Sequence, residues 1–179
     1  MIPYISMKNN LSRSFFRYVF EFTVAGFVGW IYEVVTVWVM FHRFDNRGML
    51  HLPIIPIYSL GAFMLLAILR KKRNPLIIFT AATVITTAFE LGASYLLEFI
   101  FHKQFWTYKT WYFSILDRSS LISSAIFGIM AVGYFWLLHP LSKKISNKLP
   151  EAVCFGTGMF LSAGILTDTV ISFAENLNK

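Results

Sequence analysis

The sequence predicts an all-α integral membrane protein with about five transmembrane helices in one bundle, and three observations carry the prediction. Hydrophobic residues make up 56% of the 179 positions and charged residues 14%, with a mean hydropathy of +0.60; a soluble domain of this size needs far more polar surface. Apolar runs near the roughly 20 residues that span a bilayer recur at 15–41, 54–69, 76–101, 121–139 and 152–173. The lysines and arginines behind the net charge of +7 lie in short segments between these runs, as the positive-inside rule requires. That placement accounts for the charge without a nucleic-acid partner. Aromatic residues at 18% suit a chain whose outer face meets acyl chains and headgroups.

The first run follows a polar stretch with Arg13 and Arg17; it is too long for a signal peptide and lacks a small-residue cleavage pattern, so it is read as retained. It carries Glu21 one turn after Arg17, which predicts a helix-surface ion pair near the interface. Glu33 has no cation within a turn, so its partner must come from elsewhere in the chain. Gly29 on the same face, with Gly26, would let another helix approach closely there.

The second run is the shortest, with Pro53 and Pro56 at its start, and is expected to be tilted or partly re-entrant. It belongs to "RFDNRGMLHLPIIPIYSLGA", residues 43–62, in which Asn46-Arg47-Gly48 reads as a turn. Two readings of this stretch stand open: irregular backbone that is buried or lines a wet cavity, or a tight turn before a proline-started helix.

The third run places Glu90, Ser94 and Glu98 four residues apart, hence on one stripe. The following "FWTYKTWYFSILDRSS", residues 105–120, interleaves Trp106, Tyr108, Trp111 and Tyr112 with Lys109, as an interfacial aromatic belt does, and sets Asp117 beside Arg118. The last run contains Asp168 one turn after Gly164. His42, His51, His102 and His139 all stand near run ends, where interfacial placement explains them, and the single Cys154 reads as a small buried residue.

Alternate connections give the orientation. Lys8, Arg13, Arg17, Arg70, Lys71, Lys72, Arg73, Lys143, Lys144 and Lys148 fall on one side, against Arg43, Arg47, Lys103, Lys109, Arg118 and Lys179 on the other. The denser side is expected in the cytoplasm, giving a multi-pass protein of the cell membrane, a single domain over 1–179, with its N-terminus inside and its C-terminus outside.

A carboxylate at the centre of a spanning helix costs about 2.5 to 3.5 kcal/mol on insertion scales, so such residues face the bundle interior or water and have partners. Glu33, Glu90, Glu98 and Asp168 are therefore expected at similar depth in a site for a small solute or ion, with Arg47 and Arg118 as counter-charges and Asn46, Tyr32, Trp106 and Tyr108 around them. One alternative is a structural or regulatory subunit whose polar network fixes packing or a partner. The other is an intramembrane lipid-modifying enzyme using paired carboxylates as acid and base, although no His, Ser or Cys nucleophile stands in a recognisable arrangement with them. No catalytic residue, metal ligand or cofactor is predicted.

Taken in order, "GWIYE", "NRGML" with "PIIPIYSLGA", and "ELGASYLLEFIF" with "FWTY" and "DRSSL" resemble the bacterial type IV ABC-transporter permease family, the CmpB-like proteins, over about residues 22–130. The positions that match include Trp30, Tyr32, Glu33, Asn46, Arg47, Gly48, Pro53, Pro56, Tyr58, Gly61, Glu90, Glu98, Trp106, Tyr108 and Arg118. This chain departs from the pattern at Thr107 (usually aspartate), Lys109 (usually serine), Asp117 (usually glycine) and Leu52-Pro53 (usually Gly-Pro). The resemblance implies a permease component. No glycine-rich phosphate loop ending in Lys-Ser or Lys-Thr occurs in the sequence, so the ATPase would be a separate polypeptide. Membrane lipids are the other expected partners, with a second copy of the chain to enclose a path.

Overall fold

A computed structural model describes residues 3–177, with side chains from Leu11 onward. The side chain of Lys8, and Lys179, both used above for orientation, lie outside the described residues. The chain folds into α1 (Pro3–Phe41), α2 (Pro56–Leu69), α3 (Pro75–Phe101), α4 (Leu121–Gly133), α5 (His139–Lys148) and α6 (Glu151–Leu177). A short hairpin of β1 (Ser114–Ile115) and β2 (Ser119–Ser120) precedes α4, and a π-helical turn, Tyr134–Leu138, joins α4 to α5.

Among the described residues, four helical stretches are long and apolar enough to cross a membrane: Leu11–Phe41, Pro75–Phe101, Leu121–Lys148 and Glu151–Leu177. The stretch Leu121–Lys148 runs on through Pro140, so most of the connection expected after residue 139 is helix. Pro140 sits in the first turn of α5, directly after the π-helical turn, where its missing N–H costs little. The apolar α2 is different. Its 14 residues make a rod of about 21 Å, short of the roughly 30 Å hydrocarbon core, as its run length and prolines predict.

The chain forms two compact units, Met1–Ser59 with Leu137–Lys179, and Leu60–Trp136. In the first, α1 packs on α5 and α6. Ser12 donates to Glu151 at 3.2 Å, and Gly158 leaves room for the Phe15 ring. Residue numbers climb together along α1 and α6, so these helices run parallel and residues 3 and 177 lie at opposite ends of the unit.

A left-handed His42, φ 52°, ends α1, and Gly48, φ 92°, turns the connection that follows. The chain then runs back down the side of α1 until the Ile55 N–H donates to the Gly26 carbonyl at 3.1 Å. The stretch of α1 from Gly26 to Phe41 is about 22 Å long, so α2 starts beside the middle of α1. Ser59 Oγ donates to the Phe22 carbonyl at 2.6 Å, which sets the start of α2 antiparallel to α1. Gly26 and Gly29 permit the approach, as their spacing predicted. A Cβ on Gly26 would stand 2.8 Å from Ser59 Oγ, and one on Gly29 would overlap the Tyr58 ring.

In the second unit, α3 packs on α4. Asn74 caps α3, accepting from the Leu76 N–H at 2.9 Å, and Pro75 occupies the first turn. A left-handed His102, φ 53°, closes its far end. Ser120 and Ser123 form a reciprocal capping box at the start of α4. The core is small and apolar at one end, with Leu65, Leu69, Ile78, Ala82 and Ala131. Further along, the contact turns polar, with Thr87 and Ser124 hydroxyls 2.5 Å apart.

Gly29→Ala is expected to lower the thermal stability of the purified protein by about 1 to 3 kcal/mol, because the methyl group must displace the Tyr58 ring. Gly92 has nothing within 4 Å of a built Cβ, so Gly92→Ala should be neutral or stabilise by up to about 1 kcal/mol. Equal effects at the two positions would contradict the close contact assigned to Gly29.

Candidate functional site

Glu33 finds its partners on the chain that returns along α1. Tyr58, in the first turn of α2, donates its hydroxyl to Glu33 Oε1 at 2.9 Å. Arg47 Nε lies 3.5 Å from Oε2, with side-chain exposures of 29% for Arg47 and 24% for Glu33. Tyr32 meets the Tyr58 ring edge-on, with centroids 6.2 Å apart. One turn before Glu33, the Trp30 indole N–H donates to Asn46 Oδ1 at 2.7 Å, and the Asn46 amide reaches the His51 carbonyl at 3.5 Å. Of the expected site residues, Glu33, Tyr32, Asn46 and Arg47 thus gather around one connection.

Asp168 serves the same connection from α6. Its carboxylate accepts the Leu52 N–H at 2.9 Å and the His51 N–H at 3.3 Å, two amides that precede Pro53 in non-helical backbone. It also lies 2.9 Å from His51 Nδ1 and accepts from Ser172 Oγ at 3.3 Å. Glu175 Oε2 stands 3.4 Å from the other ring nitrogen of His51. The sequence reading explained His51 by interfacial placement near a run end. Its position two residues before a proline, in a stretch whose amides need acceptors, was the available signal.

In the second unit the stripe on α3 is met by the connection after it. Tyr108 donates its hydroxyl to Glu90 Oε1 at 2.7 Å, and Glu90 is only 7% exposed. Arg118 bridges the next two turns: Nη1 donates to Ser94 Oγ at 2.9 Å, Nη2 pairs with Glu98, and the guanidinium lies 4.1 Å from the centroid of the Tyr95 ring. The Trp106 indole N–H donates to the Arg118 carbonyl at 3.1 Å. Glu90, Glu98, Trp106, Tyr108 and Arg118 therefore belong to one network on α3.

Two departures from the family pattern acquire a physical reading here. Asp117 has φ 57°, a left-handed conformation that glycine adopts freely and aspartate tolerates better than most residues. Thr107, where the pattern has an acid, donates its hydroxyl to the Asp117 carbonyl at 3.3 Å. The aromatic residues of this connection also divide: Trp106 and Tyr108 are engaged in the network, whereas Tyr112 is 80% exposed, as a residue of an interfacial belt would be.

Glu21 overturns its expected placement. Arg17 Nε is indeed 3.8 Å away, but the Glu21 side chain is fully buried. His139 Nδ1 contacts it at 3.0 Å and Ser142 Oγ donates to it, so the carboxylate lies between α1 and α5 rather than on a helix surface. His139 is accordingly more than an interfacial residue. Cys154 is buried as expected. Among the described residues, no three His, Cys, Asp or Glu side chains converge to hold a metal ion.

Tyr108→Phe is expected to cost about 1 to 3 kcal/mol, since Glu90 loses a hydroxyl donor at a buried position. Asp168→Ala should cost a similar amount by removing the acceptor of two backbone amides. Thermal unfolding in detergent checks both, and wild-type melting in either variant would contradict the roles assigned.

No curated protein and no solved structure matches the chain. One sequence family does, over residues 20–173, which includes every residue of the two networks described above except Glu175. The chain belongs to that family, described as "Putative ABC-transporter type IV".

Proposed function

We propose that this protein is the membrane component of an ABC-type transport system in the cell membrane, working with an ATPase carried on a separate polypeptide. Family membership supports the transport class, and the positive-inside count supports an N-terminus in the cytoplasm and a C-terminus outside. In this orientation the connections after α1 and α3 face outward, and each presents a carboxylate paired with an arginine. The observation that carries the reading is that these pairs remain partly exposed, with side-chain exposures of 24% for Glu33 and 41% for Glu98.

A small cationic solute or ion entering from outside would compete with Arg47 for Glu33, or with Arg118 for Glu98. Tyr58 and Tyr108 would hold Glu33 and Glu90 in place by their hydroxyl bonds. Because Arg47 and Arg118 lie on the connections, exchanging a guanidinium for a solute would loosen the connection from its helix. Solute capture and movement of the connection are thereby coupled.

A second reading has its own support. Asp168 accepts backbone amides of residues 51 and 52, which is a structural duty, so the whole polar network serves packing or the docking of a partner chain. On this account Glu33→Gln and Glu98→Gln lower the melting temperature without changing any response to solute. On the transport account they leave insertion and folding intact and abolish stabilisation by cationic solutes.

Gentle extraction from the native membrane followed by native mass spectrometry is expected to recover an ATPase subunit with this chain. Recovery of the chain alone, or only as a homodimer with lipid, would count against the ABC assignment. A cysteine placed at Asn46 should react with an impermeant thiol reagent in intact cells, and protection there would reverse the orientation.

A further inference from the structure

Where α1 enters its apolar stretch, the first unit gathers cationic side chains that the account above does not use. Arg13 and Arg17 lie one turn apart on α1. The Nε atoms of both are buried and have no hydrogen-bond acceptor. Arg17 Nε is 3.8 Å from Glu21, too far for a hydrogen bond, because Glu21 is drawn toward His139 and Ser142 on α5. The Arg17 guanidinium instead lies over the Tyr18 ring, 4.7 Å from its centroid.

The basic side of α5 adds to this charge. Ser142 and Ser146 are its buried positions, whereas Lys143, Lys144 and Lys148 are exposed. Ser142 bonds to Glu21, and the Ser146 carbonyl accepts from the Cys154 thiol at 3.7 Å. These contacts hold α5 against α1 and α6 and leave its lysines outward. The neighbouring acids are already engaged: Glu21 as above, and Glu151 with the Ser12 hydroxyl at 3.2 Å. Cations outnumber acids here, and two arginines hold donors in reserve.

We propose that Arg13, Arg17, Lys143 and Lys144 bind a phosphate group, that of an anionic phospholipid headgroup. Arginine presents a planar fork of N–H donors that matches phosphate oxygens, and basic residues at the edge of a spanning segment attract anionic headgroups. Tyr18, 44% exposed, suits the same interfacial depth. The proposal is independent of the transport reading.

The test uses the full-length protein in detergent, titrated with short-chain phosphatidylglycerol, phosphatidylcholine of the same chain length, or inorganic phosphate, reading the melting temperature. Phosphatidylglycerol should raise it saturably and phosphatidylcholine should not. The double substitution Arg13→Lys with Arg17→Lys keeps the charge and removes the planar guanidinium forks; it should weaken half-saturation about tenfold or more. Lys143→Gln with Lys144→Gln, at exposed positions, should weaken it too, and serves if the arginine variant does not fold. No rise with phosphatidylglycerol, an equal rise with phosphatidylcholine, or unchanged half-saturation in both variants would overturn the proposal. An equal rise with inorganic phosphate would reassign the site to a free anion.

Discussion

An amide or carbonyl at membrane depth has no water to bond, so every stretch of non-helical backbone there needs a protein partner. The connection between α1 and α2 is non-helical backbone that runs back beside α1, and its polar groups find partners on α1 and α6. Its end bonds to the Gly26 carbonyl, its amides at residues 51 and 52 go to Asp168, and its side chains Asn46 and Arg47 reach Trp30 and Glu33. Asp168, in an apolar helix, supplies the acceptor that two of these amides require.

The second unit solves a related problem with similar parts. Phe101-His102 ends α3 as Phe41-His42 ends α1, each histidine in the left-handed conformation. An arginine of each following connection then reaches a glutamate of the preceding helix, and a tyrosine hydroxyl reaches a glutamate of that helix too, Tyr58 from the first turn of α2 and Tyr108 from the connection after α3. The connections differ in course: one runs back beside its helix, whereas the other folds into a short hairpin whose turn accepts the Tyr108 N–H at the Asp117 carbonyl, 2.9 Å away. The shared chemistry, helix carboxylates met by tyrosine hydroxyls and by arginines of the connections, is what the transport proposal draws on.

Much of this was legible because lipid imposes strong patterns. Apolar run length located the helices, spacing put Glu90, Ser94 and Glu98 on one stripe, and Gly26 with Gly29 announced a close approach. Pairing over long sequence distance was not legible. Glu21 looked satisfied by Arg17 one turn away, but its closest contacts include His139, 118 residues on, which no periodicity reveals. Asp168 and His51, 117 residues apart, were missed as a pair for the same reason. The fourth run was bounded at residue 139, whereas the helix continues past it through the π-helical turn Tyr134–Leu138 into α5.

The account stands on the depth and anchoring of residues 43–55, and hydrogen exchange of that segment in nanodiscs tests it most directly. In the wild-type protein, the amides of His51, Leu52 and Ile55 should be protected. In Asp168→Asn, protection should fall at His51 and Leu52 and persist at Ile55, which bonds to α1. Exchange of all three amides at solvent rates in the wild-type protein would contradict the course of the connection beside α1 and the roles of Glu33 and Asp168 built on it.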